Sequence, residues 1–233
     1  MSPSSSGPGR IIAVVGLARE ARIAASPDIY AVIGGGDEAG LTAALERAAA
    51  QGAQAIISFG LAGGLDPALD PGACIVGSAA TMGPARWRTD ALWAKKLMQA
   101  LPGAIFAEVA GVDHPVASAE HKRLLRALTG AAAVDMESHV AARIAAAYGL
   151  PFAILRVVCD PAGRSLPPAA LVGMRHNGTT DLGAVLRALI GAPSQLPGLI
   201  RLGLDAQVAF SQLKRRRKRL GPTFALENTG VSP

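Results

Sequence analysis

The 233-residue chain predicts an α/β fold, a sheet covered on both faces by helices, and two observations carry that expectation. Short β-branched runs ending in glycine alternate with segments whose apolar residues recur at helical spacing. Half of the residues are hydrophobic and 17% charged, with the apolar share spread over short Ala, Val, Leu and Ile runs broken by Gly or Pro. That pattern suits a soluble α/β protein.

The elements follow in order. "RIIAVVG" (10–16) and "YAVIGG" (30–35) read as strands ending in Gly, and "DEAGLTAALERAAAQG" follows with Leu41, Ala44, Leu45 and Ala48 at helical spacing. "AQAIISFG" (53–60) is a third strand, followed by a Gly-rich turn, "GLAGGLDPALDPG", and the strand "ACIVGSAA". A helix over about 90–100, a strand over about 104–110, a helix from about Ser118, a strand over 132–135 and the strand "PFAILRVVCD" continue the alternation. In such sheets ligands gather beyond the carboxyl ends of strands, where Gly16, Gly60, Glu137 and Asp160 fall.

"GGGDEA" (34–39) follows a strand, opens a helix and fits G-x-G-x-x-A, but the next strand ends in "ISFG" without the acid a dinucleotide's ribose needs. The glycines read as a tight turn and close helix packing.

Composition excludes several classes. The net charge of +6 is owed to one run, "KRRRKR" (Lys214–Arg219), so the fold lacks the spread basic face of a general nucleic-acid binder. Cys74 and Cys159 have no His neighbours at metal-ligand spacing, which argues against a disulfide framework and a structural zinc site. No run spans a bilayer, and the polar leader "MSPSSSGPGR" lacks a secretory core, so the expected location is the cytoplasm. The expected organisation is a disordered leader (1–9), one folded domain (10–192), a C-terminal helix with a basic end (193–220) and a flexible tail (221–233).

"VVGLAREA", "ISFGLAGGLDPALDPG" and "VDMES" followed by "PFAILRVVCD" resemble, in order, the purine nucleoside phosphorylase and nucleosidase superfamily, which includes the methylthioadenosine/adenosylhomocysteine nucleosidases. Within it, "GLAREARIA", "SFGLAGGLDPAL" and "PSQLPGLIRLGLDAQVAFSQL" look most like the bacterial hopanoid-associated phosphorylases. The resemblance implies a three-layer α/β/α fold with a central mixed sheet, phosphorylase/hydrolase-like. It implies no metal or organic cofactor, inorganic phosphate as co-substrate, and a homo-oligomer, dimer or larger.

It also implies roles. Cleaving a purine from ribose builds positive charge on the sugar while the base leaves with electrons, so an acid belongs near the purine and polar acceptors near the ribose hydroxyls. Asp160 matches the acid at N7 of the base, with its pKa raised by desolvation, and Glu137 matches the acceptor of the ribose hydroxyls. Met136 lies against the sugar, Val116 wedges the purine and Asp135 orients the turn. His114 reads as a loop histidine.

The nucleophile is set by departures from the pattern. Superfamily nucleosidases carry a water-activating Glu where this chain has Ala21, with Glu20 beside it, so phosphate is the expected nucleophile. Gly16 and Arg19 of the first loop, Ser58, and the backbone N–H groups from Gly60 onward are its expected binders, with Arg22 available. The alternative is hydrolysis with Glu20 as the base. The reaction expected is adenine release from a 5'-modified adenosine, with adenosylhopane as the implied substrate of hopanoid side-chain synthesis. A non-catalytic nucleoside- or lipid-binding protein is the rival from another class.

In the last helix, Leu196, Leu199, Ile200, Leu204, Val208 and Leu213 fall near one side. That side either closes the core or, with Lys214, Arg215, Arg216, Arg217, Lys218 and Arg219, rests the enzyme peripherally on anionic lipid at the inner face of the membrane. No specific nucleic acid is expected as a partner.

Overall fold

A computed structural model describes residues 11–172, 179 and 182–226. The leader 1–9 and residues 227–233 of the tail lie outside them. Strand β1 (Ile11–Val15) is buried along its whole length. Its alternate side chains go to opposite cores, Ile12 and Val14 to one and Ile11, Ala13 and Val15 to the other. A period of two with both faces apolar is the signature of a strand sandwiched between helices.

β1 runs parallel to β2 (Ile29–Ile33) and to β3 (Ala55–Gly64). Beyond β3 the sheet curls on itself. β3 pairs parallel with β8 (Phe152–Asp160), β8 antiparallel with β4 (Cys74–Met82), β4 parallel with β6 (Ile105–Gly111), and β6 parallel with β7 (Ala133–Asp135). β7 then returns antiparallel to the end of β3 and closes the circuit. The short β5 (Ala85–Arg88) folds back on β4. The architecture is a central mixed sheet between helical layers.

Helices α2 (Glu38–Ala50) and α5 (Ser138–Ala147) pack on one face through Leu41, Leu45, Val140 and Ile144. Helices α3 (Ala91–Ala100) and α8 (Leu196–Arg219) cover the other through Trp93, Leu97, Phe210 and Leu213. The start signals are local: the side chains of Asp37, Asp90 and Ser118 cap α2, α3 and α4 (Ala119–Thr129) by accepting from backbone N–H groups. α4 ends at Gly130, whose φ of +70° is a left-handed cap. Helices α6 (Pro168–Val172) and α7 (Leu182–Gly191) precede α8.

Three local expectations are corrected. Gly60–Gly64 is not a turn: β8 lies alongside β3 as far as Gly63 opposite Asp160, so this backbone belongs to the ladder. The first loop is a helix, α1 (Ala18–Ala24). The apolar side expected along α8 also divides, for Leu213 is buried while Leu196, Ile200, Leu204 and Val208 are exposed.

The chain stays packed past the helix end. Phe224 is fully buried, meets the Phe59 ring at 5.0 Å between centroids and accepts from Trp93 Nε1 through its carbonyl at 2.8 Å. Arg217 is drawn in with it. Its guanidinium donates to the Ala24 carbonyl at 3.1 and 3.0 Å and lies 4.2 Å from the Phe224 ring, so this member of the basic run does not face a surface partner. Among the described residues no helix is long and apolar enough to cross a membrane.

Candidate active site

Strand ends and the α1 and α5 N-termini frame a pocket of about 390 Å³, inside the range that holds a small-molecule ligand. Gly16, Glu20, Val116, Met136, Glu137 and Asp160 all line it. Leu166, Ala170, Leu171, Leu202, Ala206 and Phe210 form an apolar wall on the side of α6 and α8.

The Glu20 carboxylate projects inward from α1, 2% exposed. Its Oε2 accepts from the N–H groups of Gly16 and Leu17, both at 2.8 Å, and its Oε1 accepts from Leu61 N–H at 2.7 Å. Gly16 and the Leu61 amide are among the groups the sequence offers to an anion, and here a side chain of the same protein takes them together with Leu17 N–H. Burial pushes the Glu20 carboxyl above its ordinary range, opposed by Arg156 and by the three N–H groups.

Glu137 opens α5, and two glycines make room for it. A Cβ at Gly16 would lie 2.9 Å from Glu137 Oε1, and one at Gly34 would lie 2.9 Å from its Cγ. The first glycine of "GGGDEA" therefore serves the site by close approach. Burial raises the Glu137 carboxyl to about 7, with Arg156 opposing and the nearby Asp135 and Glu20 charges adding to the rise.

Arg156 organises these acids and escaped the sequence analysis. It sits fully buried in mid-β8, with Nε 2.6 Å from Asp135 Oδ2 and Nη2 3.3 Å from Glu137 Oε2. Nη2 also donates to Ser58 Oγ at 2.6 Å, and the Ser58 and Ser138 hydroxyls lie 2.9 Å apart. Asp135 Oδ1 accepts from the N–H groups of Glu137 at 3.2 Å and Ser138 at 2.8 Å, fixing the turn into α5. A lone Arg in "AILRVV" was the available signal, because an unpaired charge in an apolar strand is prohibitively costly.

Asp160 ends β8 with its side chain 16% exposed and its carboxylate bonded to Lys122, a fully buried residue of α4. Burial raises the Asp160 carboxyl above its ordinary range, and Lys122 opposes that rise. Lys122 was the second omission.

The expected phosphate binders separate. Gly16 is at the pocket with its N–H bonded to Glu20. Ser58 is fully buried and held by Arg156, so its hydroxyl does not line the cavity. Gly60 serves another purpose: a Cβ there would lie 2.6 Å from the Glu20 carboxyl. Arg19 is exposed on α1 with its guanidinium 4.0 Å above the Phe210 ring, and Arg22 donates to the Ala18 carbonyl within its own helix. His114 is exposed.

The family model described as the phosphorylase superfamily matches residues 18–191, about three quarters of the chain. No curated protein matches by sequence. Among solved structures, the 5'-methylthioadenosine/S-adenosylhomocysteine nucleosidase of Neisseria meningitidis in complex with methylthio-immucillin-A is similar at 17% identity, with 93% of this chain and 100% of that one covered and a TM-score of 0.65. The native futalosine hydrolase of Helicobacter pylori strain 26695 is similar at 16% identity, with 91% and 98% covered and a TM-score of 0.62. The nucleosidase of Helicobacter pylori with butyl-thio-DADMe-Immucillin-A is similar at 15% identity, with 91% and 99% covered and a TM-score of 0.61. At these identities the likeness is one of fold. With the family model spanning most of the folded body, the chain belongs to the phosphorylase superfamily.

Proposed function

We propose that the protein cleaves the N-glycosidic bond of a 5'-modified adenosine and releases adenine. The observation that carries this reading is the convergence of Asp160, Glu137 and Glu20 on one pocket. Asp160 meets the purine and gives a proton to N7 as the C1'–N9 electron pair passes to the base. Glu137 accepts the ribose hydroxyls, Met136 lies against the sugar and Val116 against the purine. The solved relatives with adenosine-like ligands support the substrate class.

Water is the nucleophile this arrangement favours, with Glu20 as its base, because a buried carboxylate fills the amide cradle and would repel phosphate. Phosphorolysis is the second reading, carried by the same amides: with Glu20 withdrawn, the N–H groups of Gly16, Leu17 and Leu61 suit an anion.

The apolar wall suits an apolar 5' substituent. Together with the resemblance to hopanoid-associated phosphorylases, it supports adenosylhopane as the substrate. The exposed Leu196, Ile200, Leu204 and Val208 of α8, with Lys214, Arg215, Lys218 and Arg219 at its end, support peripheral contact with anionic lipid.

The test is adenine release from a 5'-alkyl adenosine by the parent and by Asp160→Asn. The parent should turn over, and the variant should lose roughly a hundred- to ten-thousandfold. No adenine from the parent, or equal rates from both folded proteins, would reject the reading.

A further inference from the structure

The cation behind Asp160 is unusual in its setting. Lys122 stands in the first turn of α4 with no exposed surface, and lysine is rarely so buried unless paired. Its Nζ makes three contacts: with Asp160 Oδ2, with the Pro161 carbonyl at 3.1 Å and with the Arg164 carbonyl at 3.0 Å. An ammonium has three donors, and here each finds an acceptor. Two of those acceptors are backbone carbonyls of the segment that follows β8, so the lysine ties that segment and the Asp160 carboxyl to one helix. Asp160 itself lines the pocket, so its carboxyl stands between the buried cation and the ligand space.

We propose that Lys122 is a positioning residue of this reaction: it fixes the Asp160 carboxyl at the pocket wall and receives, as its ion-pair partner, the carboxylate formed when Asp160 gives its proton to the leaving base. The inference rests on the reading of Asp160 as the acid that meets the purine. In the step, the Asp160 O–H bond breaks and its proton goes to N7, while the C1'–N9 bond breaks and its electron pair goes to the purine. The nucleophile takes C1', and the charge left on Asp160 lies against Lys122.

The surroundings make Lys122 the controlling neighbour. Arg164 also lowers the Asp160 carboxyl, but its guanidinium is paired with Asp205 of α8, which offsets its field. Cys159 on the same strand has its thiol pushed up to about 12 by burial and stays neutral. Glu20 and Glu137 line the same pocket, and Arg156 pairs with Glu137. Burial favours the protonated Asp160 carboxyl and Lys122 favours the ionised one, so the two influences oppose each other at the group that faces the ligand space.

Two measurements on Lys122→Met and Lys122→Arg test this. The first is carbon-13 NMR titration of the Asp160 carboxyl, assigned by its loss in Asp160→Asn. The second is the pH dependence of kcat/KM for adenine release from a 5'-alkyl adenosine. Removing the charge should move the Asp160 titration upward by about 1–3 pH units and carry the alkaline limb of the rate profile with it, with a lower plateau rate. The arginine variant should keep the parental limb. Lys122→Gln, which retains donors for the carbonyls without the charge, takes the place of Lys122→Met if the latter does not fold. An Asp160 titration unchanged by loss of the charge overturns the proposal, as does a moved titration with an unmoved rate profile. A parent that releases no adenine sinks the functional reading instead, and the titration still judges what Lys122 does to Asp160.

Discussion

A Cβ added to Gly60 would lie 2.6 Å from both the carboxyl carbon and Oε1 of Glu20, so the glycine in mid-β3 is the space in which that carboxylate reaches Leu61 N–H. Gly60 also holds a φ of +152°, which strains any other residue. Gly60→Ala should expel Glu20 from its seat. The expected result is a folded protein by circular dichroism with kcat for adenine release down by about a hundredfold, the cost of misplacing a reacting group by an ångström. Parental kcat in that variant would show that the seat does not matter.

Glu20→Gln separates the two nucleophiles. If water is activated by Glu20, the variant loses about a hundred- to ten-thousandfold in adenine release, and the parent works equally in phosphate-free buffer with a free sugar as product. A parent that needs phosphate, yields a sugar phosphate and tolerates Glu20→Gln would hand the reaction to phosphorolysis.

The Glu137 carboxyl, raised to about 7, makes a pH prediction whose sign is fixed. Ribose binding by an ionised acceptor should strengthen as pH rises through about 7, giving kcat/KM an acidic limb that Glu137→Gln flattens. Stability runs the other way. Between 4.5 and about 7 the unfolded state has lost the Glu137 proton and the native state keeps it, so stability falls as pH rises through that window. Urea midpoints at pH 5 and pH 7.5 should differ less in Glu137→Gln than in the parent.

Arg156→Met leaves Asp135 and Glu137 buried without their cation. Removing one partner of a buried ion pair costs about 3–5 kcal/mol, so a large fall in the urea midpoint at neutral pH is expected. A midpoint within error of the parent would mean that the Arg156 ion pairs do not contribute to stability.

The basic run should split by burial. Arg217→Gln removes charged hydrogen bonds to Ala24, Gly221 and Pro222 and should cost about 1.5–3 kcal/mol in thermal or urea melts. Replacing Lys214, Arg215, Lys218 and Arg219 with Gln should leave the melt unchanged and abolish salt-sensitive sedimentation with anionic vesicles. If the parent shows no such sedimentation, the helix end is simply solvated.

Alternation of strand and helix and the start of α4 near Ser118 were legible because each is a local signal set by residue spacing along the chain. So were Asp160, Met136 and Glu137, which stand at the junctions that strand patterning marks. The end of β3 was not legible, since Gly60–Gly64 reads as a turn until β8 is laid along it and pairs the glycine backbone.

By itself the sequence determined the α/β order, the placing of two acids at strand ends and the basic end of the last helix, all consequences of spacing along one chain. Only the tertiary structure decided what surrounds those acids. Glu20 crosses 41 positions to Leu61, Lys122 crosses 38 to Asp160, and Arg156 gathers Asp135 and Glu137 from the turn into α5 and Ser58 from β3. Burial made these meetings obligatory, because a charge taken out of water must find its partner wherever the fold has placed one.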